Sequence, residues 1–155
     1  MLSLIAVAGL SQADLRSEIN ASRHKVEKAA LAKDVKGAVA AYKECVTPDF
    51  KYVQDGKSQD FKTFIGNFTA TIAMTDKVTS SSSRIVSLKE SGNKASGLIE
   101  HKMAGSMKMQ DKKSHTFNWI GLFTEDYRKV GGKWKTSTMT AGKQKFLIDG
   151  KLAKM

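Results

Sequence analysis

Few side chains in this sequence have both the type and the setting that chemistry requires, and His101 is the first of them. It lies in an alternating stretch in which Ile99 and Met103 share its face, so a strand would turn it toward an apolar environment. A neutral imidazole in such a place can serve as a general base near neutral pH. The alternative is a histidine that only completes the hydrogen bonding of a core or of its rim.

The partner of His101 depends on strand register. Counting outward from the polar turn near Lys112 places His101 opposite Phe123 or Thr124, with Glu125 close by. If His101 and a carboxylate both face one deep cavity, the interpretation as an enzyme gains. A slip of one residue would turn Glu125 to the other face of the sheet, so the pair is one possibility among two.

Asp49 is the second candidate for a general base. It follows Pro48 where a strand begins, and it could equally cap the turn. Removing a proton next to a carbonyl also needs a donor that stabilises the developing oxygen charge. Tyr42 and Tyr52 are available for that role.

Aromatic and methionine side chains recur on one face of each long alternating stretch. They are either plain core packing or the lining of a pocket for an apolar or aromatic ligand, since both residue types suit adaptable apolar sites. The residues predicted to line such a pocket are Tyr42, Tyr52, Phe64, Met103, Phe117, Trp119, Phe123 and Tyr127. Met107 and Met109 continue the methionine row. Strand glycines at 97, 105 and 121 predict bulges or bends that would curl the sheet.

Metal, cofactor and disulfide chemistry find little support. His24, His101 and His115 are far apart and lack the spacing of metal ligands, so no metal site and no cofactor are predicted. Cys45 is the only cysteine, which excludes an internal disulfide. It falls in an apolar helical pattern and is interpreted as a buried, inert thiol.

The chain is basic, with a formal net charge of +11. Of its 26 basic residues 22 are lysines, and they are spread over the whole length. Recognition of bases and phosphates favours arginine, so nucleic acid is an unlikely partner. The scattered lysines could still attract anionic partners, so a basic adaptor for such partners remains an alternative function.

The first thirteen residues differ from the rest. MLSLIAVAGL is uncharged and apolar, and small residues follow at Ser11 and Ala13, where a signal peptidase would cleave. The segment 1–13 is therefore interpreted as a truncated signal peptide, which predicts a secreted or periplasmic protein. The alternative is an N-terminal helix extension of a cytoplasmic one. The run is too short for a transmembrane segment.

Periodicity and turn signals predict the elements that would position these residues. Helices are predicted from Asp14 to about Lys33, from Asp34 to Thr47-Pro48, and after Ser58, which would cap the third. Strands are predicted at 50–53, 78–89, 94–110, 114–129 and 133–140, with tight turns at Asp55-Gly56, Gly92-Asn93 and Gly131-Gly132. Helices followed by antiparallel hairpins make an α+β fold. We expect one domain over residues 14–150 and a basic tail at 151–155.

Two stretches carry a resemblance to a known family. Lys33-Asp34-Val35 through Tyr42, Thr47-Pro48-Asp49-Phe50-Lys51-Tyr52, and then Gly56, Phe61 and Phe64 resemble the opening of a nuclear transport factor two-like (NTF2-like) domain. Asp126 to Lys135 resembles the final hairpin of the same group, which is also called SnoaL-like or cystatin-like and includes the ketosteroid isomerases. The resemblance implies a cone, in which a strongly bent antiparallel sheet wraps about three N-terminal helices and leaves a cavity. It also implies that homodimers through the outer face of the sheet are common.

The resemblance implies several functions without choosing among them. Members of the group isomerise steroids, cyclise polyketides, catalyse dehydrations, or bind ligands without chemistry. Neither Tyr42 nor Tyr52 sits in a recognisable isomerase motif. The first hypothesis is therefore an exported domain that binds a small apolar or aromatic ligand. The second is an isomerase, cyclase or dehydratase with Asp49 or His101 as general base, and the third is the basic adaptor.

Overall fold

The computed structural model describes the backbone of residues 4–153 and the side chains of residues 14–153. Its elements are α1 (Leu4–Leu31), α2 (Val35–Cys45), β1 (Val46–Gln54), β2 (Lys57–Asp60), α3 (Phe61–Met74), β3 (Thr75–Ser91), β4 (Lys94–Lys108), β5 (Ser114–Val130), β6 (Lys133–Ile148) and β7 (Lys151–Leu152). Residues 1–3 of the predicted signal segment and 154–155 of the predicted basic tail lie outside the described residues. None of the described helices is both long enough and apolar enough to span a membrane.

The strands form one strongly curved, open sheet in the order β2-β1-β6-β5-β4-β3, with β7 added to β6. The α+β prediction is confirmed. The expectation of a purely antiparallel sheet is wrong at one place, because β1 runs parallel to β6. A parallel pair needs a long crossover connection, and α3 with strands β3 to β5 supplies it.

The helix starts were predicted with mixed success. Asp34 caps α2 as expected, since its carboxylate accepts a hydrogen bond of 2.9 Å from the amide of Gly37. Ser58 does not cap α3. It lies in β2, and Asp60 caps α3 by accepting from the amide of Thr63 at 2.8 Å. Because the tight turn before β2 lets that strand pair with β1 as far as Asp60, Ser58 is held in the strand. α3 therefore begins after Asp60 and not after Ser58, although both side chains could cap a helix.

Most elements are longer than periodicity predicted. α1 is helical from Leu4, ten residues before the predicted start at Asp14. β1 begins at Val46, so Pro48 lies within the strand and does not separate a helix from it. β6 continues to Ile148, beyond the predicted end at residue 140.

The helices cover the inner face of the sheet. Leu15 and Ile19 of α1 pack in one buried cluster with Tyr127 and Trp134 of the sheet. A second cluster joins β1, α3, β5 and β6, and consists of Val46, Phe50, Phe64, Phe123 and Met139. Between these clusters the side chains do not fill the space.

Candidate functional site

A cavity of about 370 Å³ lies between the helices and the inner face of the sheet. Its walls are mostly apolar. All eight residues predicted for a pocket border it, namely Tyr42, Tyr52, Phe64, Met103, Phe117, Trp119, Phe123 and Tyr127, and so does His101. Met107 borders it too, whereas Met109 lies beyond the end of β4 and is exposed. The alternating pattern of β4 and β5 therefore brings these side chains to one face.

Glu125 is the most deeply buried ionisable group at the cavity, with 2% of its surface exposed. The strand alternation of β5 places it between Phe123 and Tyr127 on the inner face. Its carboxylate accepts hydrogen bonds from the Arg23 guanidinium at 2.7 Å, from the Tyr127 hydroxyl at 2.9 Å and from His101 Nε2 at 3.0 Å. A buried carboxylate with three donors is held in one orientation.

Arg23 comes from α1, and sequence reasoning missed it. Its Nη2 donates to Glu125 and, at 2.7 Å, to the hydroxyl of Tyr127. The available signal was helical spacing, because Ile19, Arg23 and Val26 follow the i, i+4, i+7 pattern of one helix face. An arginine on an apolar stripe indicates a buried anionic partner.

His101 reaches Glu125 although its predicted strand partner was wrong. It pairs with Gly121 instead of Phe123 or Thr124, because the β4–β5 hairpin is centred on Asp111, one residue before the assumed turn. An error of one residue in the turn centre moves the partner by two, and a shift of two keeps the same face. Of the two alternatives that the sequence left open, the one in which His101 pairs with Glu125 is therefore observed.

The charges of this cluster fix the tautomer of His101. Burial alone would raise the pKa of Glu125, but the charge of Arg23 and the hydrogen bonds from His101 and Tyr127 outweigh it and lower the pKa to about 2. The ionised carboxylate can only accept, so Nε2 of His101 donates. In the neutral imidazole the lone pair is then on Nδ1, the nitrogen that a general base would use.

Most other polar groups at the cavity are already engaged. The Tyr52 hydroxyl donates to Gln54 at 3.0 Å, and Trp119 Nε1 donates to Gln144 at 3.1 Å. Burial raises the pKa of the Cys45 thiol to about 12, which agrees with the inert thiol expected from the sequence.

Gly121 shapes the wall of the cavity beside His101. A Cβ at this position would meet Phe123 Cε2 at 2.6 Å and Trp119 Cζ2 at 2.7 Å. The two rings therefore close over the glycine. The pairing of β5 with β6 also shifts register between Gly121 and Phe123, as the strand-glycine prediction expected.

Asp49 is not brought to the cavity. Its side chain is 66% exposed and forms an ion pair with Arg128. Of the two candidate bases, the structure therefore places only His101 at the cavity.

A second histidine has carboxylate partners outside the cavity. His115 contacts Asp149 at 2.6 Å through Nδ1 and Asp111 at 2.8 Å through Nε2, joining the β4–β5 turn to the β6–β7 turn. Among residues 14–153 no group of three or more His, Cys, Asp or Glu side chains is arranged to hold a metal ion.

No protein-family model matches the sequence, and a search of the curated proteins finds no match. Solved structures do match. A hexachlorocyclohexane dehydrochlorinase (LinA) of type 2 aligns over 90% of this chain and 92% of its own, with a TM-score of 0.69 and 12% identity. An NTF2-like protein with a cystatin-like fold from Novosphingobium aromaticivorans aligns over 91% and 90%, with a TM-score of 0.60 and 14% identity.

The fold is NTF2-like. A third match, an NTF2-like superfamily protein from Salmonella enterica serovar Typhimurium, covers 84% of this chain and 92% of its own, with a TM-score of 0.61 and 11% identity. The resemblance inferred from the sequence is thereby confirmed at the level of the fold. The NTF2-like sheet explains why residues of α1, β4 and β5 meet at one cavity.

Proposed function

We propose that the cavity binds a small apolar or aromatic molecule and that His101, held by Glu125, acts on it as a general base. The observation that carries the proposal is the 3.0 Å contact between His101 and the buried carboxylate at a largely apolar cavity. A histidine positioned at the cavity can act as a general base, and the adjacent carboxylate holds its ring in one orientation. Asp49 has no comparable setting.

The class of reaction follows from the role proposed for His101, which is to remove a proton. Nδ1 of His101 takes a proton from a carbon of the substrate, and Glu125 stabilises the imidazolium that forms. An isomerase returns the proton to a different carbon. A lyase instead uses the electron pair of the broken C–H bond to form a double bond, while a leaving group departs from the adjacent carbon with its own electrons. The neighbour named as a dehydrochlorinase performs a reaction of the second kind.

The test uses two carbon acids of similar size, 1-indanone and indene. We expect both to bind, as measured by displacement of a fluorescent naphthalene dye. We expect proton NMR in D₂O to show wild-type protein accelerating C–H exchange of at least one of them. His101→Gln should lower that rate about a hundredfold or more, the usual contribution of a general base.

His115→Gln is the matched control, because His115 also pairs with carboxylates but lies outside the cavity. Its exchange rate should equal that of the wild type. Equal rates for wild type and His101→Gln would refute the role of His101.

The second candidate is ligand binding without chemistry, and the apolar lining favours it as much as it favours an enzyme. The two separate in the same experiment. A binding protein would retain both compounds in wild type and in His101→Gln, and neither protein would accelerate exchange above the rate in buffer.

We also propose that the protein is exported, because residues 1–13 have the composition of a truncated signal peptide. Cleavage after Ala13 would retain Leu15 and Ile19, which are buried residues of α1. N-terminal sequencing of the protein recovered from the periplasm or medium should then begin at Asp14.

A further inference from the structure

Three basic side chains lie directly opposite one another on the outer face of the sheet. The strand register pairs Lys94 of β4 with Arg128 of β5, and Arg128 with Lys135 of β6. Directly opposite residues share a face and have Cβ atoms about 5 Å apart, so like charges in these positions repel and destabilise the sheet. Within residues 14–153 only Arg128 of the three forms an ion pair, with Asp49. The repulsion is therefore largely uncompensated.

A concavity of about 430 Å³ opens beside this row. The basic residues at its border are Lys89, Lys94 and Arg128, and hydroxyl groups come from Ser91, Ser96 and Ser137. Cations and hydroxyls together are the donors that an oxyanion requires. Lys89 and Lys94 are exposed, so their ammonium groups can reach a bound anion without a rearrangement of the core.

The backbone holds the two ends of this concavity together. The β3–β4 turn at Gly92 and Asn93 lies next to the end of β5, because the carbonyl of Asn93 accepts a hydrogen bond of 3.0 Å from the amide of Lys129. Asp49 holds the guanidinium of Arg128 from the side of β1. The site is therefore largely formed before a ligand binds, which lowers the entropic cost of binding.

The balance of charge at the concavity decides which anion fits. Asp126 is the one acid among the described residues at its border, and Asp49 is already paired with Arg128. Lys89, Lys94 and Lys135 leave a surplus of positive charge beyond these carboxylates. A dianion gains more from such a surplus than a monoanion does.

We propose that the concavity bordered by Lys89, Lys94 and Arg128 binds a phosphate monoester. At pH 7.5 such a group carries nearly two negative charges and three acceptor oxygens, since its second pKa is about 6. It would accept hydrogen bonds from the ammonium and hydroxyl groups and relieve the repulsion along the row. A phosphodiester carries a single charge, so nucleic acid fits the site less well. The concavity lies on the face of the sheet opposite the cavity, and the inference does not rest on the proposed function.

The experiment compares phenyl phosphate with phenyl sulfate, which has a similar size but one charge fewer. Calorimetry at pH 7.5 and constant ionic strength should show wild type binding phenyl phosphate about tenfold more tightly, the effect of one additional charge-assisted contact. Lys94→Gln should weaken the binding of phenyl phosphate about tenfold. Asp126→Asn should strengthen it, because it removes the opposing carboxylate. Lys36→Gln, an exposed lysine of α2, is the matched control and should bind as wild type does.

Two sources of the phosphate group are separated by vesicles of phosphatidylcholine with and without phosphatidic acid. Sedimentation with the acidic vesicles that Lys94→Gln weakens would indicate a lipid head group. Binding of phenyl phosphate without such sedimentation would indicate a soluble ester. Equal affinity of wild type for the two phenyl esters, or equal losses in Lys94→Gln and Lys36→Gln, overturns the inference and leaves the proposed function of the cavity untouched.

Discussion

At the scale of single residues, the site depends most on the charge of Glu125. Glu125→Gln keeps the shape of the side chain but leaves Arg23, which is 11% exposed, without its anionic partner. We expect the free energy of unfolding at pH 7 to fall by about 3–5 kcal/mol, as when one member of a buried ion pair is removed. Urea denaturation measures the loss.

Glu100→Gln is the control for this prediction. Glu100 pairs with Arg84 and Lys102 at the surface of the sheet, so its replacement should cost much less. Equal losses in the two variants would contradict the role given to Glu125.

The pH dependence of stability follows from the same carboxylate. Its pKa is about 2 in the folded protein, against 4.5 for an ordinary glutamate. Between pH 4.5 and pH 2, Glu125 is protonated in the unfolded chain but still ionised in the folded protein. The stabilisation that the ionised carboxylate contributes is therefore complete above pH 4.5 and is lost as the pH falls toward 2. Unfolding curves from pH 5 to pH 2 should show a shallower decline for Glu125→Gln than for wild type.

Individual site residues were predictable to different degrees. The strand period of two was sufficient for His101 and the aromatic lining, because one face of each strand must be apolar. It left the His101–Glu125 pair open, because that pair depends on the register between β4 and β5. Arg23 was not predicted. Helical spacing places it beside Ile19, but only the packing of α1 on the sheet brings it to a carboxylate 102 positions away.

At the scale of elements, Gly121 lets β5 carry two large rings next to each other. Gly121→Ala should force Trp119 and Phe123 apart and destabilise the fold by about 1–3 kcal/mol, the usual cost of overpacking. It should also weaken binding of 1-indanone, because both rings line the cavity. Thermal melting and dye displacement measure the two effects.

Gly66 offers the opposite case within α3. A Cβ there meets no atom within 4 Å, so Gly66→Ala should stabilise the protein by about 0.5–1 kcal/mol through helix propensity alone. A loss of stability in Gly66→Ala as large as that in Gly121→Ala would argue against the steric explanation.

The contact between the two turns at His115 should depend on pH. Hydrogen bonds with Asp149 and then Asp111 raise the pKa of His115 above 6.5. The stabilisation is therefore complete below pH 6.5 and is lost as the pH rises through the higher folded value. NMR titration of the imidazole should show this raised pKa, and Asp149→Asn should bring it closer to 6.5. Asp55→Asn, in the β1–β2 turn, should leave it unchanged.

Element boundaries were predicted well where one residue decides and poorly where two signals compete. The Asp55-Gly56 turn is as expected, with both residues at positive φ. The cap of α3 was misplaced because Ser58 and Asp60 are both good caps. Pairing of β2 with β1 across the Asp55-Gly56 turn made the choice, because it holds Ser58 in an extended strand.

At the scale of the whole molecule, the face of the sheet opposite the cavity is expected to join two copies. Leu98, Ile120 and Leu122 are half-buried residues of this outer face. Sedimentation should show a dimer of 17.0 kDa chains, and Leu122→Lys should convert it to monomers. Val130→Lys, at the exposed β5–β6 turn, should remain dimeric. A monomeric wild type at micromolar concentration would end this expectation.

The class of fold followed from the order of elements, since helices that precede long hairpins have few compact arrangements. The parallel pairing of β1 with β6 did not follow. Val46 pairs with Thr136, and no local pattern specifies a partner at that distance along the chain.

That pairing has a consequence for how the chain acquires its structure. During synthesis the helices and β1 are made first, yet β1 has no partner besides β2 until β6 has been translated. The apolar faces destined for the cavity remain uncovered for that interval, when they can associate with other chains. Since contacts so distant along the chain also slow folding, a chaperone that shields the amino-terminal half should raise the yield of native protein.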